Sequence, residues 1–164
     1  MTTTSGVLFI HSAPSALCPH IEWALGAALG VPADLRWERQ PAEPASYRTD
    51  YAWTGSTGTA SRLASTLKRW ERLRFEVTED HAAGTGGERY SYTPTLGVFV
   101  GATGPYGDLV VGENRLRAVL RSAEGQTGLR EALDDLLGTA WDAELDVFRQ
   151  AADGVPLRWL HAAG

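Results

Sequence analysis

Two helix–strand units of this chain repeat one another at a constant offset of 38, and that repeat constrains the fold more than any other feature. "LGAALGVPADLRWE", beginning at Leu25, lies over "LASTLKRWERLRFE", beginning at Leu63. Leu25, Leu29, Leu35, Arg36 and Glu38 meet Leu63, Leu67, Leu73, Arg74 and Glu76, while Trp37 meets Phe75. Each unit has leucines at helical spacing followed by a stretch that alternates apolar and polar, as a half-buried strand does. A further strand precedes each unit. "GVLFIHS" is a short buried run, and "SYRTDYAWT" sets Tyr47, Thr49, Tyr51 and Trp53 on one face. Strand–helix–strand twice over is the split βαβ pattern, so the spacing predicts an α+β fold with a ferredoxin-like βαββαβ core over residues 6–80. Right-handed crossovers place both helices on one face of its sheet.

The remainder reads as an extension of that core. "HAAGTGGE" carries three glycines and predicts a mobile hairpin, "RYSYT" and "LGVFVGA" two more strands, and "DLVVGE" a short strand returning to the sheet. Additional antiparallel strands therefore fill 81–112, and helices with a tail fill 113–164. Leu116, Val119 and Leu120 mark one helix. Leu129, Leu133, Leu136, Leu137, Ala140, Trp141, Leu145 and Phe148 mark a longer one, broken at Gly138. Its other face is acidic, with Glu131, Asp134, Asp135, Asp142, Glu144 and Asp146. "VPLRWLH" keeps enough apolar residues to be expected to pack back. A chain of 164 residues suits one domain, 1–164, and no linker divides it.

Charge and cysteine usage narrow the function classes. A formal net charge of −5 argues against nonspecific nucleic-acid binding, which depends on neutralising phosphates. The N-terminal stretch lacks a basic region and a long apolar run, so neither a leader nor a membrane segment is expected. One cysteine makes no internal disulfide, and the expected location is cytoplasmic.

Three readings compete at "HSAPSALCPHIEWAL". In the first, Pro19 opens a helix, where its missing N–H costs nothing, and Cys18 caps it. In the second, Cys18 is a nucleophile helped by His20 or His11. A helix terminus is worth roughly 0.3–1 kcal/mol, which lowers a thiol pKa of about 8.5 by less than one pH unit. Cys18 then stays mostly protonated, and the same dipole disfavours a cationic His20. In the third, Cys18, His20 and His11 with His81 or Glu22 bind a metal, but the paired short spacings of structural zinc are missing. Buried structural cysteine is the default, with no metal and no cofactor expected.

A positional argument gives a different candidate. If the first and third strands lie adjacent and parallel, their following helices open at the same edge of the sheet. "HSAPSALCPH" would then face "TGSTGTAS", and two helix N-termini lined by Ser12, Ser15, Ser56, Thr57, Gly58 and Thr59 would attract an anion or carboxylate. The plainer alternative is that Ser56, Thr57 and Gly58 turn the chain and cap a helix. Among the six tryptophans, Trp37, Trp53, Trp70 and Trp141 fall on core-facing positions. Trp23 lies off the Ile21–Leu25–Leu29 line, free to cover the Cys-Pro-His loop or to face a partner.

"GVLFIHSAPSALCPHIEWAL", followed by "LRWERQP" and "GSTGTASRLASTLKRW", resembles an actinobacterial family catalogued as a domain of unknown function. Its most recognisable stretch is His-Ser-x-Pro with Cys-Pro-His-x-Glu-Trp. The resemblance carries no activity, cofactor or catalytic residue onto Cys18 or His20. Genomic neighbourhoods of that family imply a link to fatty-acid synthesis, and with it an acyl-carrier or acyl-chain partner. Two functions follow as expectations: a non-catalytic module binding a small anionic ligand or a protein partner, or a small enzyme centred on Cys18. Sheets of this type often dimerise through an uncovered face or edge, so a homodimer is also kept open.

Overall fold

The structure is a computed structural model that describes residues 2–152. It consists of seven strands in one antiparallel sheet with five α-helices. In chain order these are β1 (Thr3–Pro14), α1 (Cys18–Leu29), β2 (Glu38–Arg39), β3 (Ser46–Ser56), α2 (Thr59–Leu67), β4 (Arg74–Glu79), β5 (Gly87–Thr93), β6 (Gly97–Thr103), β7 (Leu109–Val110), α3 (Glu113–Ser122), α4 (Gly125–Leu137) and α5 (Thr139–Ala151). The strands lie in the order β2-β3-β1-β4-β5-β6-β7, each antiparallel to its neighbours. Among the described residues no helix is long and apolar enough to cross a membrane.

The alternation of β1 sorts its side chains between two layers. Leu8 and Ile10 join Phe75 and Val77 of β4 and Trp53 of β3 in a core closed by Ile21 and Leu25 of α1 and Leu63 and Leu67 of α2. The two core helices thus share one face. A bulge between Ile10 and Ala13 resets the alternation, so that both of these residues face the same core. Gly6 of β1 leaves no room for a side chain against β4 and β3. A Cβ there would sit 1.8 Å from the Thr78 carbonyl oxygen and 2.5 Å from Trp53.

The opposite face is also covered, which the repeat alone did not suggest. Residues Phe9 and His11 of β1, Glu76 of β4 and Ser91 of β5 point there, beneath α5. Trp141 of α5 packs on Phe99 of β6 with ring centroids 5.4 Å apart and donates from Nε1 to the Gly97 carbonyl at 3.0 Å. Gly138, with φ of +68°, ends α4 and starts α5 against the same Phe99 ring, where a Cβ would come within 2.9 Å. The left-handed turn and the ring both require glycine here. The break expected at Gly138 is present.

One expected strand is shorter than its alternation suggests. In "ADLRWERQ" only Glu38 and Arg39 pair, with Arg48 and Tyr47 of β3. Its alternation reflects contact with a helix: Leu35 enters the core and Trp37 Nε1 donates to Glu22 Oε1 of α1 at 2.8 Å. The acidic face of the C-terminal helices is not simply solvated. Asp142 and Asp146 of α5 turn to Arg149, and Glu144 turns to Arg74 of β4. "VPLRWLH", with Trp159, lies outside the described residues.

Candidate functional site

The two loops expected to face each other lie at opposite ends of the sheet. β1 and β3 are antiparallel, with Pro14 opposite Ser46 and Thr3 opposite Ser56. The chain leaving β1 toward α1 and the chain leaving β3 toward α2 therefore exit in opposite directions. Ser12 and Ser15 are not brought to Ser56, Thr57, Gly58 and Thr59, which corrects the shared anion site.

Each half has its own partners. At α2 the anion is already supplied from within, because the Glu79 carboxylate of β4 accepts from the backbone N–H of Gly58 at 2.9 Å and of Ala60 at 3.0 Å. This is the favourable placement of negative charge at a helix N-terminus. Thr59 Oγ1 donates to the Ser56 carbonyl at 2.7 Å and accepts from Arg62, and Thr57 Oγ1 donates to the Thr2 carbonyl. Ser12 Oγ accepts from Arg74 Nη1 at 3.3 Å, and Ser15 opens a short 3-10 turn, Ser15–Leu17, that feeds α1.

Cys18 is the first residue of α1, and Leu17 rather than Cys18 takes the capping position. Its thiol points into the core and donates to the Pro14 carbonyl with a separation of 3.6 Å. Burial pushes the thiol pKa up, and the neighbouring Glu22 charge adds to this, so the group is held protonated. His20 is exposed, and His11 lies on the opposite face of the sheet, bonded to Glu76. The three residues proposed to act together are kept apart. Among the described residues no group of three or more His, Cys, Asp or Glu is gathered that could hold a metal. Trp23 is 78% exposed, so it does not cover the Cys-Pro-His loop.

Two buried arginines lie on the α5 side of the sheet, and their surroundings differ sharply. Arg149 of α5, 5% exposed, pairs with fully buried Glu76 through Nε at 3.1 Å and through Nη2. It also pairs with Asp146 at 2.7 Å and Asp142 at 3.1 Å. His11 Nε2 lies 2.7 Å from Glu76 Oε2, the oxygen that also accepts from Arg149 Nε, and Ser91 Oγ donates to Oε1 at 3.3 Å. Burial alone would raise the Glu76 pKa. The hydrogen bond and charge of His11, with those of Arg149, outweigh it and hold the group at about 2. Every charge in this cluster has its counter-charge.

Arg89 of β5 is 9% exposed, and its side chain has no hydrogen bond or ion pair among the described residues. Its Nε is fully buried without an acceptor. Arg89 lines a cavity of about 200 Å³ formed where Val7, Thr78, Thr103 and the Gly104–Gly107 turn meet. That turn closes on itself through Gly104 N–H to the Asp108 carbonyl at 2.9 Å and Gly107 N–H to the Gly104 carbonyl at 3.0 Å. It contributes exposed Tyr106 to the cavity lining, which also includes His81.

The two carboxylates nearby are engaged elsewhere. Glu79 is turned through the sheet to α2, and Asp80 Oδ2 accepts from Ser5 Oγ at 2.7 Å. A guanidinium keeps its charge at any ordinary pH, and burying it unpaired costs several kcal/mol. The cavity therefore offers a fixed cation and a partly apolar wall, with the orphaned Nε of that cation fully buried. Sequence reasoning missed it, although "RYSYT" read as a strand does set Arg89 and Ser91 on one face. The missing question was what lies over that face.

No curated protein and no solved structure matches the chain. The family model described as "Protein of unknown function (DUF3145)" matches residues 7–162. Since this match spans nearly the whole sequence, helices and added strands included, the chain belongs to the DUF3145 family.

Proposed function

We propose that this protein is a non-catalytic module that binds a small organic monocarboxylate in the Arg89 cavity. The observation that carries this reading is a nine-tenths buried arginine whose side chain makes no hydrogen bond or ion pair among the described residues, lining an open space of ligand size, while Arg149 on the same face pairs with three carboxylates. A carboxylate matches the planar guanidinium fork, and Val7, Pro105 and Tyr106 suit a short apolar body behind it. Asp80 at the wall disfavours a dianion such as phosphate, which argues for a single negative charge. The strand order β2-β3-β1-β4, with α1 and α2 as the two crossovers, also supports reading residues 6–80 as a ferredoxin-like split βαβ core. On that reading β5, β6 and β7 are the addition that builds the cavity.

Titration calorimetry with benzoate, isobutyrate and inorganic phosphate tests the proposal. The carboxylates are expected to bind one to one and phosphate more weakly. Arg89→Ala removes a charge-assisted hydrogen bond worth about 1.5–3 kcal/mol, a loss of about ten- to a hundredfold in affinity. Equal binding by wild type and Arg89→Ala, or no binding by any of the three probes, overturns the reading.

A further inference from the structure

A separate observation concerns α3 and α4. Among the described residues neither helix contains a buried side chain, yet both are amphipathic. Leu116 and Leu120 of α3 and Leu133 and Leu137 of α4 are exposed, Leu120 by 68%. A helix as short as α3, of ten residues, gains little from propensity alone and normally depends on burying its apolar stripe. On α4, an open groove runs along Gln126, Leu129, Arg130, Leu133 and Asp134.

The charges of the two helices are complementary. α3 carries Arg115, Arg117 and Arg121 against one acidic residue, Glu113, while α4 carries Glu131, Asp134 and Asp135 against one arginine, Arg130. A surface that presents a basic apolar helix beside an acidic apolar helix is complementary to its own copy turned by a two-fold axis. An anionic lipid surface would attract α3 but repel α4, so the charge pattern favours protein over membrane.

We infer that α3 and α4 form the contact with a second copy of this chain, α3 of each copy seated in the α4 groove of the other. The contact is isologous, so each pairing of basic and acidic helices occurs twice. Val98, Val100 and Val110 on β6 and β7 are exposed as well but carry no such complementarity, and they are left out of the contact.

Sedimentation equilibrium on the full chain from about 1 to 100 µM brackets the affinities of specific interfaces. Wild type is expected to be dimeric at the upper end, and Leu120→Asp to be monomeric. Because these positions are exposed, far-UV and near-UV circular dichroism should be unchanged. Charge reversal gives the sharper test. Arg115→Glu with Arg117→Glu makes both helices acidic, and Asp134→Arg with Asp135→Arg makes both basic, so each variant alone is expected to be monomeric. Mixed in equal amounts, the two variants should recover a dimer. A monomeric wild type at the upper concentration overturns the inference, whether or not it pellets with anionic vesicles. Charge-reversed variants that still dimerise, or that fail to recover a dimer on mixing, overturn it too.

Discussion

Glu76 occupies a polar position in a strand whose neighbours Phe75 and Val77 face the core, and it is fully buried all the same. Alternation in "LRFEVTED" separates two faces correctly but does not say whether the second face meets water or protein. The clue lay far away in sequence, in Arg149, a basic residue among the acids of α5. Glu76 titrates near 2 in the folded chain instead of the ordinary 4.5. Its contribution to stability is therefore complete above about pH 4.5 and is lost as pH falls toward 2. Glu76→Gln should lower stability near neutral pH by up to about 3 kcal/mol, the low end for a broken buried pair, since Asp142 and Asp146 still face Arg149. Urea midpoints measured between pH 7 and pH 2 check this. The gap between wild type and variant should narrow below about pH 4.5, and a gap constant with pH would count against the ion-pair account.

At the scale of elements, the helices and most strands follow from periodicity because each packs one apolar stripe against the sheet. Ile21 and Leu25, Leu63 and Leu67, and Leu73, Phe75 and Val77 all enter the core that their spacing indicates. Helix termini were less legible. "GSTGTAS" reads as a loop with anion-binding backbone, and that chemistry is real, but the anion is Glu79 from the neighbouring strand. Local sequence cannot show a partner supplied across the sheet. Glu79→Ala leaves the Gly58 and Ala60 N–H groups without their acceptor and is expected to cost about 1–3 kcal/mol. Thr57→Ala, which loses only an exposed 3.3 Å bond, should change stability by less than about 0.5 kcal/mol. Phosphate should then stabilise Glu79→Ala more than wild type in thermal unfolding, because the vacated helix N-terminus would accept it.

The whole molecule is a sheet covered by α1 and α2 on one face and by α5 on part of the other. Among the described residues, no helix residue lines the part of that second face that holds Arg89 and its cavity. The antiparallel pairing of β1 with β3 explains why a site between the two βα loops fails: in such a sheet, neighbouring strands send their following loops to opposite ends. A ligand space instead arises where β1, β4 and β5 meet the Gly104–Gly107 turn. A long-range arrangement of this kind, joining β1, β4, β5 and the β6–β7 turn, leaves no local pattern in the chain.

The central claim is that Arg89 is held ready for an anion. Proton–nitrogen correlation spectra recorded during a benzoate titration test it most directly, with the arginine Nε–H region included. The account predicts saturable shifts of the Arg89 Nε–H and of the backbone amides of Thr78, Thr103 and Gly107. Shifts confined to Ser12, Ser15, Thr57 and Thr59, or an Arg89 Nε–H that does not move at saturation, would contradict it.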